Sequence, residues 1–285
     1  MLSWQVGEVK VTRVLELEAT GGTRFLLPQA TREAVREIGW LSPHFADEEG
    51  RLRLSIHALV VETPGRRIIV DTCLGNDKER DIPTWSRLQT SFLSDLAAAG
   101  YPRESIDTVL CTHLHVDHVG WNTMRVDGRW VATFPNARYL MGRAEYDYWR
   151  SEEAGAEDLA RSHFHDSVEP VWDAGLVDLV ETDHRICPEV SLEPTLGHTP
   201  GHVSVRIRSQ GQEALITGDF IHHPCQLAHP EWAPPVDFDP AASTATRERM
   251  FASLAGTDVL VIGTHFTAPT AGRVVADGSV WRLAV

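Results

Sequence analysis

Thr112-His113-Leu114-His115-Val116-Asp117-His118 follows directly on Val109-Leu110-Cys111, so three histidines and an aspartate fall within six residues behind a short apolar run. The apolar run reads as a strand, which puts the cluster at a strand end rather than in a polar tail. Residues two apart on an extended chain point to the same side, so His113 and His115 share a face. Asp117 and His118 come where the chain must turn and fold back toward that face. Imidazole nitrogens with a carboxylate suit zinc or a similar first-row divalent ion.

The rest of the chain sets the frame for this cluster. It has 285 residues, 42% of them hydrophobic, enough for a sizeable core; no linker interrupts it, and we read residues 1–285 as one domain. Its 26 basic and 40 acidic residues give a net charge of −14. That argues against a nucleic-acid or anionic-membrane surface, which would need a basic patch. Cys73, Cys111, Cys187 and Cys225 are scattered with no C-x-x-C pair, so reduced thiols are expected; Cys225 draws notice only for lying near a candidate ligand. The first residues have no basic and apolar signal pattern, and no apolar run of 18 occurs, so a soluble cytoplasmic protein is expected.

Outward from the cluster, two stretches repeat one grammar. Residues 55–63, the turn Pro64-Gly65 and residues 67–71 read as a hairpin ending in Asp71; a helix over 85–99 stops at Gly100; a strand over 107–111 then delivers Thr112-His113. Residues 203–207 and 214–219 read as a second hairpin ending in Asp219; a helix over 244–254 stops at Gly256; a strand over 257–263 delivers Thr264-His265. The duplication implies two similar β-rich halves with helices outside. The fold class expected is α+β, a four-layer αββα sandwich. Residues 4–18, 137–141 and 176–180 read as further strands, 31–38 and 144–149 as helices, and 151–175 as a polar helical region. The segment 224–240 carries five prolines and reads as a binding loop or contact surface.

Three more chemical groups stand at turns or strand ends: Gly197-His-Thr-Pro-Gly-His202, Asp219 and His265. With the opening cluster they supply about the number of ligands that two metal ions need. In that order, His113-x-His115-x-Asp117-His118, His202, Asp219 and His265 resemble the metallo-β-lactamase superfamily of hydrolases over nearly the whole chain. Within it, residues 96–107, Phe134-Pro-Asn-Ala137, residues 197–202 and residues 218–222 look most like the branch containing methyl parathion hydrolase and the N-acyl-homoserine lactonases. The resemblance implies two Zn²⁺ or other divalent ions per chain. His113, His115 and His202 would hold one, and Asp117, His118 and His265 the other, with Asp219 bridging. It implies attack by a metal-bridging hydroxide on a small ester or lactone, lactonase or arylesterase chemistry and also phosphotriesterase chemistry, with quorum quenching as the associated role. Asp117 is then a catalytic proton shuttle as well as a ligand. A β-lactam or thioester hydrolase, or a mononuclear iron persulfide dioxygenase, are the alternatives. A homodimer is expected from the resemblance and the 224–240 loop.

Softer readings accompany these. His222 stands where acyl-homoserine lactonases have a tyrosine that holds the substrate carbonyl; it either does similar catalytic work or packs beside the site. His198 is expected to brace its own turn, His223 to be exposed or structural, and His163 and His165 to be solvated. Asp71 either orients a ligand histidine or simply closes a strand. Tyr146, Tyr148 and Trp149 either wall a substrate pocket or belong to the core.

Overall fold

The computed structural model describes residues 1–21, 23–153 and 162–285; the part of the expected 151–175 helical region that falls on 154–161 lies outside them. The chain divides into two compact units, one of Met1–Glu16 with Ile56–Glu181 and the other of Leu17–Ser55 with Thr182–Val285.

The first unit is built on a seven-stranded sheet in the order β1-β2-β3-β4-β5-β8-β9. Its members are β1 (Ser3–Val6), β2 (Val9–Thr20), β3 (Arg53–Thr63), β4 (Arg66–Val70), β5 (Thr108–Leu110), β8 (Arg138–Gly142) and β9 (Val177–Val180); β6 (Thr123–Val126) and β7 (Arg129–Ala132) form a separate hairpin. The chain passes between the units within β2, again at the start of β3 and a third time after Glu181. β3 and β4 pair antiparallel, after which β5, β8 and β9 add in parallel. β3 is buried almost without a break from Ser55 to Val61, as expected of a strand covered on both faces. Val60, Ile69 and Val109 are wholly withdrawn from solvent, each contributing about 1.5–3 kcal/mol of apolar burial. The helix over 143–153 packs on β8 and β9.

The second unit carries a six-stranded sheet, β10 (Val190–Pro194), β11 (Val203–Ser209), β12 (Gln212–Ile216), β13 (Leu260–Ile262), β14 (Ala271–Asp277) and β15 (Val280–Ala284), in sequence order. Its long helix, Pro240–Leu254, starts where the Asp239 carboxylate accepts the Ala242 N–H and Pro240 takes a first-turn position that needs no amide proton. Met250, Phe251 and Leu254 of this helix meet Leu215, Val261, Phe266 and Val274 in one apolar cluster.

The repeated grammar is visible in the pairing of each unit. In both, an antiparallel hairpin (β3–β4, β11–β12) is joined on its second strand by a parallel strand (β5, β13). Asp71 N–H donates to Leu110 O just past the end of β4, and Thr217 N–H to Ile262 O just past β12. Two expectations fail: residues 4–18 form not one strand but the antiparallel pair β1–β2, turned at Gly7-Glu8, and the helix read over 85–99 is only Phe92–Ala98. Asn76 Oδ1 takes the Thr90 amide at 2.7 Å, and Arg87 sits in the left-handed region, so the first turns of a helix cannot form there. The β6–β7 hairpin, turned at Asp127-Gly128, and the β14–β15 hairpin, turned at Gly278, went unread although both carry ordinary turn residues.

Candidate metal centre

In the first unit the opening cluster lies just past β5, and the chain there is pinned from several sides. Asp71, held at φ +55°, accepts the Thr112 amide at 2.8 Å and the Thr112 hydroxyl at 2.9 and 3.1 Å. The same carboxylate takes His118 Nδ1 at 2.9 Å, and the Thr112 hydroxyl lies 3.1 Å from His113 Nδ1. One buried aspartate therefore orients two imidazoles, one directly and one through a hydroxyl. Asp71 is the orienting carboxylate of the two readings. Glu145, also buried, accepts the Leu114 amide at 3.1 Å and the Trp149 indole N–H at 2.7 Å.

With their Nδ1 atoms so engaged, His113 and His118 carry their other ring nitrogens as donors to something else. His113 Nε2 is 3.0 Å from His115 Nδ1, and His118 Nε2 is 3.7 Å from Asp117 Oδ1. Zinc bonded tetrahedrally at about 2.0–2.1 Å to nitrogen requires donors about 3.3 Å apart. These separations match that spacing.

The second unit gathers its donors on Asp219, just past β12. Asp219 Oδ2 is faced by His222 Nε2 at 3.2 Å, His265 Nε2 at 3.2 Å and His198 Nε2 at 3.7 Å. His198, Asp219 and His222 offer ligand atoms all within 4.8 Å of one another, and all three side chains are buried. The far nitrogens are again held: His265 Nδ1 on the Ser55 carbonyl at 3.0 Å, and His198 Nδ1 on Asp237 Oδ1 at 2.7 Å. His222 differs. Its Nδ1 is buried and takes no hydrogen bond among the described residues.

His202, read from sequence as a ligand, does not join this group. Its Nδ1 lies 2.9 Å from both the carbonyl and the hydroxyl of Thr195, and its Nε2 accepts the Asp219 amide at 2.7 Å. Both ring nitrogens are spent on the chain that carries Asp219. His198, expected to brace its own turn, is the histidine that the turn 197–202 presents. At Gly197, φ +125°, an added Cβ would come within 2.2 Å of the Ser243 amide nitrogen, so the turn is pressed onto the long helix.

Other expectations sort as follows. His223 is structural, with Nε2 on the Phe45 carbonyl and Nδ1 on the Cys225 amide; burial pushes its pKa down to about 4. His163 is half-buried rather than solvated: its ring is edge-on to Trp149, whose ring is edge-on to His115, and burial lowers its pKa to about 4. His165 is exposed beside Glu169. Tyr146 is buried against Phe164 and Trp172, whereas Trp149 borders His115. The four cysteines are free thiols, and burial pushes Cys225 well above the usual range.

Residues 51–269 match the metallo-beta-lactamase superfamily profile, and the chain belongs to that superfamily. The N-acyl homoserine lactonase AiiA of Bacillus thuringiensis subsp. kurstaki is 24% identical over 212 residues, 70% of this chain and 76% of that protein. Among solved structures, the hydrolase AbOPH of the beta-lactamase superfamily superposes with a TM-score of 0.80 at 27% identity, covering 100% of this chain and 97% of the other. AidC, a dizinc quorum-quenching lactonase, superposes with a TM-score of 0.75 at 20% identity, covering 99% and 95%. The chain is a metal-dependent hydrolase, with the α+β fold of this superfamily, and its clustered histidines and aspartates are candidate metal ligands. No helix among the described residues is long and apolar enough to cross a membrane.

Proposed function

We propose that residues 1–285 act as one hydrolase domain that binds two zinc ions and opens a lactone or cleaves a small ester. The ligands in this reading are His113, His115, Asp117, His118, His198, Asp219 and His265. His198 replaces His202 because its Nε2 faces the Asp219 carboxylate, whereas His202 Nε2 accepts the Asp219 amide. The observation that carries the reading is the convergence of three imidazole Nε2 atoms on Asp219 Oδ2, which suits a carboxylate shared between cations. When bound, such ions lower the pKa of coordinated water toward about 7 and polarise a carbonyl or phosphoryl oxygen.

The chain's own groups divide the remaining work. Asp117, partly exposed beside the buried His118, is the carboxylate able to carry a proton to the leaving alkoxide. His222 presents Nε2 beside Asp219 while its Nδ1 has no fixed acceptor, so it can hold the substrate carbonyl and reorient as it does so. Trp149, next to His115, offers an apolar wall. A lactone is favoured over a triester because lactonases stand among both the sequence relatives and the structural neighbours. An acyl-homoserine lactone of the kind used in bacterial signalling is the first member of that class to try.

The test is metal content with rates on lactones, aryl acetates and paraoxon-like triesters. Two zinc ions per chain with turnover on lactones is the expected result. A chain loaded with two ions and inert on all three groups would overturn the proposal, and one bound iron would redirect it to persulfide oxygenation.

A further inference from the structure

The proline-rich segment 224–240 has so far no chemical task. Its one charged side chain pointing inward is Asp237, whose carboxylate is wholly buried. Asp237 Oδ1 lies 2.7 Å from His198 Nδ1, and Oδ2 lies 3.6 Å from a guanidinium nitrogen of Arg247, itself 0% exposed. Arg247 ties the segment to the long helix: Nε donates to the Pro230 carbonyl at 2.6 Å, while the two terminal nitrogens are held within the helix by Ser243 Oγ at 2.8 Å and Thr244 Oγ1 at 3.0 Å. Alongside, Phe238 N–H donates to His198 O and Asp239 N–H to Gly197 O, so the backbone of the segment is zipped to the turn that carries the histidine.

We propose that Asp237, clamped by Arg247, is the positioning residue that fixes His198 as a metal ligand, and that holding it is the task of segment 224–240. The inference rests on the metal-binding reading above. Its physical basis is the difference between acceptors. His265 leans on a neutral carbonyl, whereas His198 leans on a buried anion, which fixes the imidazole tautomer and raises the basicity of Nε2. An isolated carboxylate at this depth would not stay ionised; Arg247 supplies the opposite charge without competing for Oδ1. The guanidinium keeps its donors on three oxygens of the chain, so it is fixed before any metal arrives.

The experiment is competition for zinc between the purified chain and a chromophoric chelator, with far-UV circular dichroism as a check on folding. Asp237→Asn keeps the size of the side chain and removes its charge; zinc binding should weaken 10- to 100-fold. In a His198→Ala background the same substitution should cost nothing further, because Asp237 acts through that ring. A folded Asp237→Asn chain with unchanged zinc affinity would overturn the proposal, as would an undiminished loss in the His198→Ala background. If Asp237→Asn does not fold, Arg247→Lys serves in its place: it keeps the charge and breaks the fork, and zinc binding should weaken severalfold, whereas unchanged affinity would again overturn the inference. Wild-type protein that takes up no zinc would instead sink the metal-binding reading itself.

Discussion

Each unit contains a buried cation–carboxylate pair, and the two are used differently. In the first, Asp166 receives Arg80 through two nitrogens at 2.7 and 2.9 Å and Lys78 Nζ at 3.4 Å, while Ser167 adds its hydroxyl. These partners hold the Asp166 carboxyl below its usual range against the burial that opposes them. In the second, Asp237 has a single cation at 3.6 Å, and burial raises its pKa. A saturated carboxylate has no capacity left for a third party and serves as scaffold. An undersupplied one can still hold a histidine, and Asp237 does. Spare hydrogen-bonding capacity, more than burial or charge, separates the pair that serves the site from the pair that serves the fold.

The contrast can be broken most forcefully at Arg247. Replacing it with methionine leaves the Asp237 charge buried with His198 alone, and urea unfolding should show a loss of about 3–5 kcal/mol. Arg80→Met should cost visibly less, because Asp166 keeps Lys78; equal losses would abolish the distinction. Next in size is Thr112→Val, which removes the hydroxyl linking Asp71 to His113. A loss of about 1.5–3 kcal/mol is expected, since hydrogen bonds to a charged group are being cut, and thermal denaturation of metal-free protein measures it.

The smallest effect is a pH slope. Burial lowers Lys78 to about 7 despite Asp166, its nitrogen lying 3.9 Å from the centre of the Trp130 ring. Between about pH 7 and 10.5 the unfolded chain therefore holds a proton that the folded chain has released. Stability gained from this residue rises with pH across that window, by at most about 1.4 kcal/mol per pH unit. Comparing wild type with Lys78→Met at pH 7.5 and 9.5 isolates the slope; parallel curves would mean that the lysine stays charged.

Much of this was open to reading before any coordinates. The cluster 113–118 announced itself because five of its neighbours are apolar and its donors are dense. The duplicated hairpin-helix-strand order was legible because Asp71 and Asp219, and Thr112-His113 and Thr264-His265, recur at matching places. The choice between His198 and His202 was not legible. Both belong to one Gly/Pro turn, and their spacing does not say that His198 faces the Asp219 carboxylate while His202 faces its amide. Asp237 and Arg247 were equally hidden, since a buried ion pair between a loop and a helix leaves no periodic trace in the chain. The helix that shortened to Phe92–Ala98 shows the same limit, because the amide of Thr90 was claimed by Asn76, 14 residues away.

His202 acquires a use from being displaced. Its ring spans from the Thr195 carbonyl to the Asp219 amide, and an added Cβ on Gly218 would lie 2.6 Å from its Nε2. It is a spacer of fixed width between the strand that leads to His198 and the turn that holds Asp219. Exchanging His202 for a shorter side chain should therefore loosen the packing between Thr195 and the turn that holds Asp219.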